Sequence, residues 1–562
     1  MKKIIKTIIA ALSFVVFLGT VQLVAAEKVD LPLDKNRGFP VIRITTPENP
    51  FVQERTLWQS GTISIENTLE EFAFEAVGTG IRGRGNSTWW NGENKRPLRF
   101  RLDEARSLLG SDYEARDWIL LADNFDRSLL RNYSALYLGG LLSGMDFVPS
   151  VNSVHLYVNG EYMGVYLLTD ERDVNPGRMD LTWDPNPAVS GFFLELDARA
   201  YQDGGVENET FVNVNGLLYD IRYPGSSGRT PEHVAYVREY LETVSQAIRG
   251  GNFDEILALI DLNSFIDFYL VQELFKNADV HSLSVFMHIS GEGDSRRLFM
   301  GPLWDFDMAA GNFRGQPLGS GPENIYVAVF NYWYRNLMDV PEFFEAVKHR
   351  WNEIFVAEIP QTIKHIRDIS VRYRDDFERN FERHQIMGIA HVPTPEDILE
   401  IMTHEGQVEF LINWLEARAL WLDDFFNGRL EDYDPLRALL EYHTDDRRIN
   451  ININGELQEL TVPPIMLQSR TMLSLQEIAD IFNLTVSYDE ESGLALIEKD
   501  SIVISHQIGN SYLEIDGQRV HFGAPSSMTI NGENFVPLRV IAEILGYEIR
   551  WHSGTRTIFL DA

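Results

Sequence analysis

Residues 276–311 read KNADVHSLSVFMHISGEGDSRRLFMGPLWDFDMAAG. The segment predicts the end of a helix, a short loop, a β-hairpin and a second loop. Ser282–Ile289 and Arg296–Gly301 are the expected strands, and Gly291–Asp294 the turn, where glycine supplies positive φ. The 26 residues from Asp279 to Asp305 leave room for two strands of about six to eight residues and their turn. A hairpin returns to where it began, so Asp279 should face Asp305 and Asp307. One carboxylate set as a base and another as a metal ligand is the arrangement phosphoryl transfer uses. Aspartates at loop starts also cap helices and turns, and spacing alone leaves both readings open.

The chain has 562 residues, 44% of them hydrophobic, enough for two or three domains with cores of their own. Lys2, Lys3 and Lys6 lead into an apolar run that closes on Ala25-Ala26 before Glu27. That is the pattern of a secretory signal peptide over residues 1–26, with an uncleaved anchor as the alternative. No later stretch approaches the roughly 18 apolar residues a membrane span needs. The mature chain is therefore expected to be secreted, extracellular or cell-wall associated, with no membrane contact after cleavage. The absence of cysteine excludes a disulfide framework, a thiolate nucleophile and thiolate-bound zinc. A net charge of −34 argues against a nucleic-acid partner and favours solubility, cationic partners or divalent ions.

Before the hairpin, FPVIRITT and GTISIEN alternate as half-buried strands do. Gly78, Gly80, Gly83 and Gly85 precede Asn86, Ser87 and Thr88, and Lys95, Arg96 and a strand-like LRFRL follow. Such a turn can bring backbone N–H groups to a phosphate and a lysine to its charge, though it fits no Walker pattern and suits a plain hairpin equally. Residues 115–142 should contain a helix capped by Asp123 or Asn124 and ended by Gly139-Gly140. Asn159-Gly160 signals a type I′ hairpin, with Asp170 and Glu171 at its far end; Glu195 and Asp197 close a later strand. Two helices are expected at Pro231–Gly250 and Asn263–Lys276, the second apolar on most sides and therefore buried. Residues 341–427 carry helical spacing, and His384, His391 and His404 lack a tight ligand spacing. Beyond a linker at 428–446 the chain repeats itself: the segment from Arg470 aligns with that from Glu533, 63 residues on, each reading as strand, amphipathic helix, strand. This repeat carries no nucleophile–base pair and reads as a binding or stalk module.

Together these blocks resemble the CotH kinase family over roughly residues 38–425: GIRGRGNSTW (80–89), KRPLRFRL (95–102), GVYLLTDE (164–171), GFFLELD (191–197), KNADVHSLSVFM (276–287) and GPLWDFDMAAGN (301–312). The tail resembles the copper amine oxidase N-terminal-like domain, a stalk module that implies no copper here. The resemblance implies an α+β, atypical protein-kinase-like fold over residues 35–427, β-rich first and helical later, with a small α+β repeat domain at 447–562. It implies transfer of the ATP γ-phosphoryl to serine or threonine of a surface or coat protein, with Mg²⁺ or Mn²⁺. Asp279 matches the catalytic aspartate, and Asp305 the metal-binding one, with Asp307 a possible second ligand. Arg84, Gly85, Asn86 and Ser87 form the phosphate-facing loop, Lys95 is chosen over Arg84 and Arg99 to pair the phosphates, and Asp170 is expected as the acidic partner of that lysine, with Glu171 adjacent. Ordinary kinases carry a metal-binding asparagine five residues after the catalytic aspartate; here that position is Ser284, leaving Asp307 or Glu195 to supply a second metal site. The repeat domain would contact a cell-wall component. The alternative is a surface-binding or adhesion protein on a degenerate kinase fold. Metal-assisted hydrolysis stands third, since no histidine set accompanies the carboxylates.

Overall fold

The structure, a computed structural model, describes residues 38–47, 54–91, 95–198, 210–431, 433–434, 438–439 and, with short breaks, 448–562. The leader read at residues 1–26 and much of the linker read at 428–446 lie outside the described residues.

The β-rich part is a closed barrel. Its strands are β1 (Val41–Thr45), β2 (Gln59–Glu66), β3 (Phe74–Gly83), β4 (Leu98–Arg106), β5 (Ala115–Leu121), β6 (Asn152–Val158) and β7 (Glu161–Asp170), in the order β1-β2-β3-β4-β5-β7-β6. Alternation decides what fills it: Ile42, Ile44, Ile63, Ile65, Leu98 and Phe100 point inward and pack with Trp118, Leu156 and Leu168. Neighbours are antiparallel except β1 and β6, whose parallel register (Val41 opposite His155) closes the ring. Asn159 and Gly160 take φ of 51° and 82°, as the type I′ reading requires.

The outward residues of β5 and β7, among them Ile119, Leu121, Val165 and Leu167, belong to a second and larger core. That core also covers a sheet ordered β12-β11-β8-β10-β9, built from β8 (Phe192–Leu196), β9 (Phe211–Val214), β10 (Leu217–Tyr223), β11 (Val285–Ser290) and β12 (Arg297–Met300). The helix Leu262–Phe275 runs through it, buried at every position from Ser264 onward. Asp261 caps its start through the Ser264 N–H at 2.8 Å, and Lys276 ends it in the left-handed region. Glu273 of this helix and Arg418 of the helix His404–Phe426 form a fully buried ion pair at 2.6 Å. Glu273 also accepts from the Tyr326 and Val327 N–H groups, and Arg418 donates to the Pro322 and Asn324 carbonyls. Removing one partner strands the other charge. Arg418→Met is therefore expected to cost about 3–5 kcal/mol in urea denaturation; an unchanged midpoint would contradict the latch.

The deciding hairpin forms as β11 and β12, with Ser290 opposite Arg297 and a short helical turn at Gly293–Ser295. β11 starts later than the alternation suggests. Ser282 and Leu283 turn back to donate to the Asp279 carbonyl, and Ser284 sits at φ 52°. The helix expected within 115–142 is Arg131–Leu141, preceded by β5. Its cap is neither Asp123 nor Asn124. Asp126 accepts from the Ser128, Leu130 and Arg131 N–H groups, while Asp123, at φ 47° just after β5, accepts from the Asn132 side chain. The helix also runs through Gly139 and Gly140 to Leu141, because Gly139 admits Leu303 against its backbone.

The C-terminal repeat is realised element by element: Arg470–Ser474, Leu475–Phe482 and Thr485–Asp489 match Glu533–Pro537, Leu538–Ile544 and Glu548–His552. Leu473 pairs with Val536, its own counterpart in the repeat, so the two halves meet about a local two-fold. The domain is not detached: Met472, Met528, Ile530 and Phe535 join the larger core, and Arg249 donates to Asn510 at 2.8 Å.

Candidate active site

Four segments meet between the barrel and the second sheet. The loop after the buried helix brings Asp279. Asn277 stiffens that loop: its side chain accepts from the Asp279 N–H at 3.1 Å and donates to the Trp304 carbonyl at 3.2 Å. The loop after β12 brings Asp305 and Asp307. Asp305 sits at φ 57° and accepts from the Ser284 hydroxyl at 2.7 Å. Asn312 donates to the Asp307 carbonyl at 2.7 Å and to the Phe125 carbonyl at 2.9 Å, tying this loop to the third segment.

That third segment, residues 123–132, was not read as part of a site. Asn124, Asp126, Arg127, Ser128, Arg131 and Asn132 are all buried, as is Asp123. Asn132 donates to Asp123 at 2.7 Å and accepts from the Phe306 N–H at 2.7 Å. Arg131 pairs with Asp126 at 2.6 Å and donates to the Ala309 carbonyl at 3.0 Å. So many polar residues between an apolar strand and an amphipathic helix were the available signal.

The fourth segment is the β3–β4 connection. Gly83 lets the Trp89 ring lie on the strand, and Gly85 turns at φ 87° into the short helix Ser87–Asn91. Asn86 and Ser87 lie exposed at that helix start, with the Asn86 side chain accepting from Arg55. Arg84 stacks on Trp304, whose ring also carries Arg172 at 4.1 Å. Lys95 lies just before β4, fully buried, and its ammonium has no hydrogen-bond partner.

One expectation about the lysine is corrected. Asp170 is not its partner: its carboxylate is taken by Arg178 at 2.8 Å and by the Ser150 hydroxyl at 2.6 Å, fixing the end of β7. The carboxylates whose charge acts on Lys95 are Asp123 and Asp126. Arg99 is committed to Asp117 at 2.8 Å and Glu171 at 3.1 Å. Glu195 pairs with Arg222 on the neighbouring strand. His384 and His404 bond the Met163 and Ser128 carbonyls, as structural histidines do.

The electrostatics of the site are strained. Burial pulls Lys95 down to about 7 against the attraction of Asp123 and Asp126. Burial pushes Asp123 up to about 7. Asp307 is raised well above the usual carboxylate range, by burial first and then by the charges of Asp305, Asp123, Asp279 and Asp126. Four carboxylates thus bear on Asp307, while Asp126 stays below the usual range despite its burial because Arg131 is beside it. Among the described residues, no three of His, Asp or Glu form a metal cage by themselves. Mg²⁺ does not need one. It is typically held by one or two carboxylates, with phosphate oxygens and water completing the shell. Asp305 and Asp307 fit that role, and the orphaned Lys95 ammonium fits a phosphate.

A buried lysine without a hydrogen-bond partner, a half-buried aspartate on a stiff loop and a crowded acidic pair thus lie together between the barrel and the second sheet. Two family models match the chain: CotH kinase protein over residues 81–422 and copper amine oxidase N-terminal domain over residues 452–560. The first covers more than half of the sequence, and the chain belongs to the CotH kinase family. No curated protein matches it.

Proposed function

We propose that the protein is an exported, atypical protein-kinase-like enzyme that moves the γ-phosphoryl of ATP to serine or threonine of a surface or coat protein. The observation that carries this is Lys95: a fully buried ammonium with no hydrogen-bond partner, set over the Tyr166 ring at 5.2 Å and close enough to Asp123 and Asp126 to feel their charge. A structural lysine that deep would be satisfied, as Lys276 is by the Leu318 and Gly321 carbonyls. Asp279, half-buried, orients and deprotonates the acceptor hydroxyl. Asp305 and Asp307 hold the divalent ion, Mg²⁺ or Mn²⁺, which when bound neutralises charge on the phosphates. Arg84 and the Gly85–Ser87 turn border the phosphates, and Asn277, Asn132 and Asn312 hold the loops in place. The repeat domain contributes contact with a cell-wall component. Residues 1–26 direct export.

The test is thermal stability of residues 27–562 with ATP and Mg²⁺. Saturation at about a hundred times the dissociation constant adds roughly 2.7 kcal/mol. The shift is expected to need metal, to vanish in Lys95→Met and to weaken in Asp305→Ala. A wild-type shift in Lys95→Met would remove the lysine from the site, and no shift at all would favour the binding-protein alternative.

A further inference from the structure

Ser284 stands where ordinary kinases carry a metal-binding asparagine. Its hydroxyl is buried and donates to Asp305 at 2.7 Å, so its proton is committed to that carboxylate. Both residues sit at positive φ, 52° and 57°, outside the ends of β11 and β12. Such backbones in non-glycine residues are costly and persist where the surroundings impose them. A serine whose proton points at an aspartate has its oxygen lone pairs turned away from it. P-loop enzymes hold Mg²⁺ with this pairing, a serine or threonine oxygen beside an aspartate.

Resting on the kinase reading above, we propose that Ser284 is itself a metal ligand. It replaces the kinase asparagine and completes, with Asp305 and Asp307, a hard-oxygen set for one divalent ion. Asp305 accepts the Ser284 proton at Oδ2 and would offer carboxylate oxygen to the metal as well. Glu195, the other residue considered for a second metal, is held by Arg222 and takes no part.

The experiment is Mn²⁺ titration of residues 27–562 with ATP present, read by Mn²⁺ electron paramagnetic resonance and thermal shift rather than turnover. Ser284→Ala should weaken Mn²⁺ at least about tenfold. Ser284→Asn should restore binding, since asparagine tolerates the left-handed backbone. Ser284→Cys, the sole thiol in a cysteine-free chain, should shift preference from Mg²⁺ towards Cd²⁺. Unchanged Mn²⁺ binding in Ser284→Ala, with loss in Asp305→Ala, would overturn the proposal and leave the site reading standing. Weakening in Ser284→Ala without any Cd²⁺ gain in Ser284→Cys would also overturn it, reducing Ser284 to positioning Asp305. Unchanged binding in both Ser284→Ala and Asp305→Ala would overturn the site reading as well.

Discussion

Asp279→Asn is expected to lower phosphoryl transfer by about 10²–10⁴-fold while leaving ATP and metal binding intact, because it removes a base and keeps the shape. The Asp279 backbone ties its loop: its N–H donates to the Asn277 side chain, and its carbonyl takes the Ser282 and Leu283 N–H groups. An amide there preserves these bonds. The loss should therefore fall on kcat rather than on KM for ATP, measured with γ-labelled ATP at saturating metal. A rise in KM for ATP with kcat unchanged would place Asp279 in nucleotide binding and leave the base unassigned.

Asp307→Asn should have an opposite pair of effects. It should abolish metal-dependent stabilisation and raise the stability of the unliganded protein. Asp307 is buried among carboxylates that drive it well above the usual range. A carboxylate raised in the folded state binds more protons there than in the unfolded chain. Its destabilisation is therefore absent at low pH, where both states are protonated, grows as pH rises above the unfolded value, and is complete once pH has passed the folded one. The gain from Asp307→Asn should be small at pH 4 and on the order of 1–3 kcal/mol at pH 8, as for relief of a buried charge left without a partner. Wild type should recover the same stability when Mg²⁺ and ATP are added. Equal stability of the two proteins at pH 8 without ligand would show that the acidic crowding is already relieved by some other means.

The sequence made the deciding hairpin legible because its signals are local: alternating strands, Gly291 and Gly293 at the turn, and a loop aspartate on each side. The type I′ turn at Asn159-Gly160 and the C-terminal repeat were readable for the same reason. Barrel closure was not, since the parallel pairing of β1 with β6 joins strands separated by most of the barrel's length in sequence. The carboxylates around Lys95 were not legible. Asp170 ends β7 and Asp123 follows β5, and only the fold gives Arg178 to the first and the lysine's field to the second. Residues 123–132 were misread because capping was assigned to the first available aspartate. Asp126 performs it, which leaves Asp123 for the site.

The central claim is that this acidic, cysteine-free chain transfers phosphate. The measurement that meets it most directly is incubation of purified residues 27–562 with γ-labelled ATP and Mg²⁺ or Mn²⁺, with and without a serine-rich acceptor protein. The label should appear on serine or threonine, depend on metal, and be absent in Asp279→Asn and Asp305→Ala. Free labelled phosphate with no labelled protein, or no reaction under conditions where ATP demonstrably binds, would contradict it.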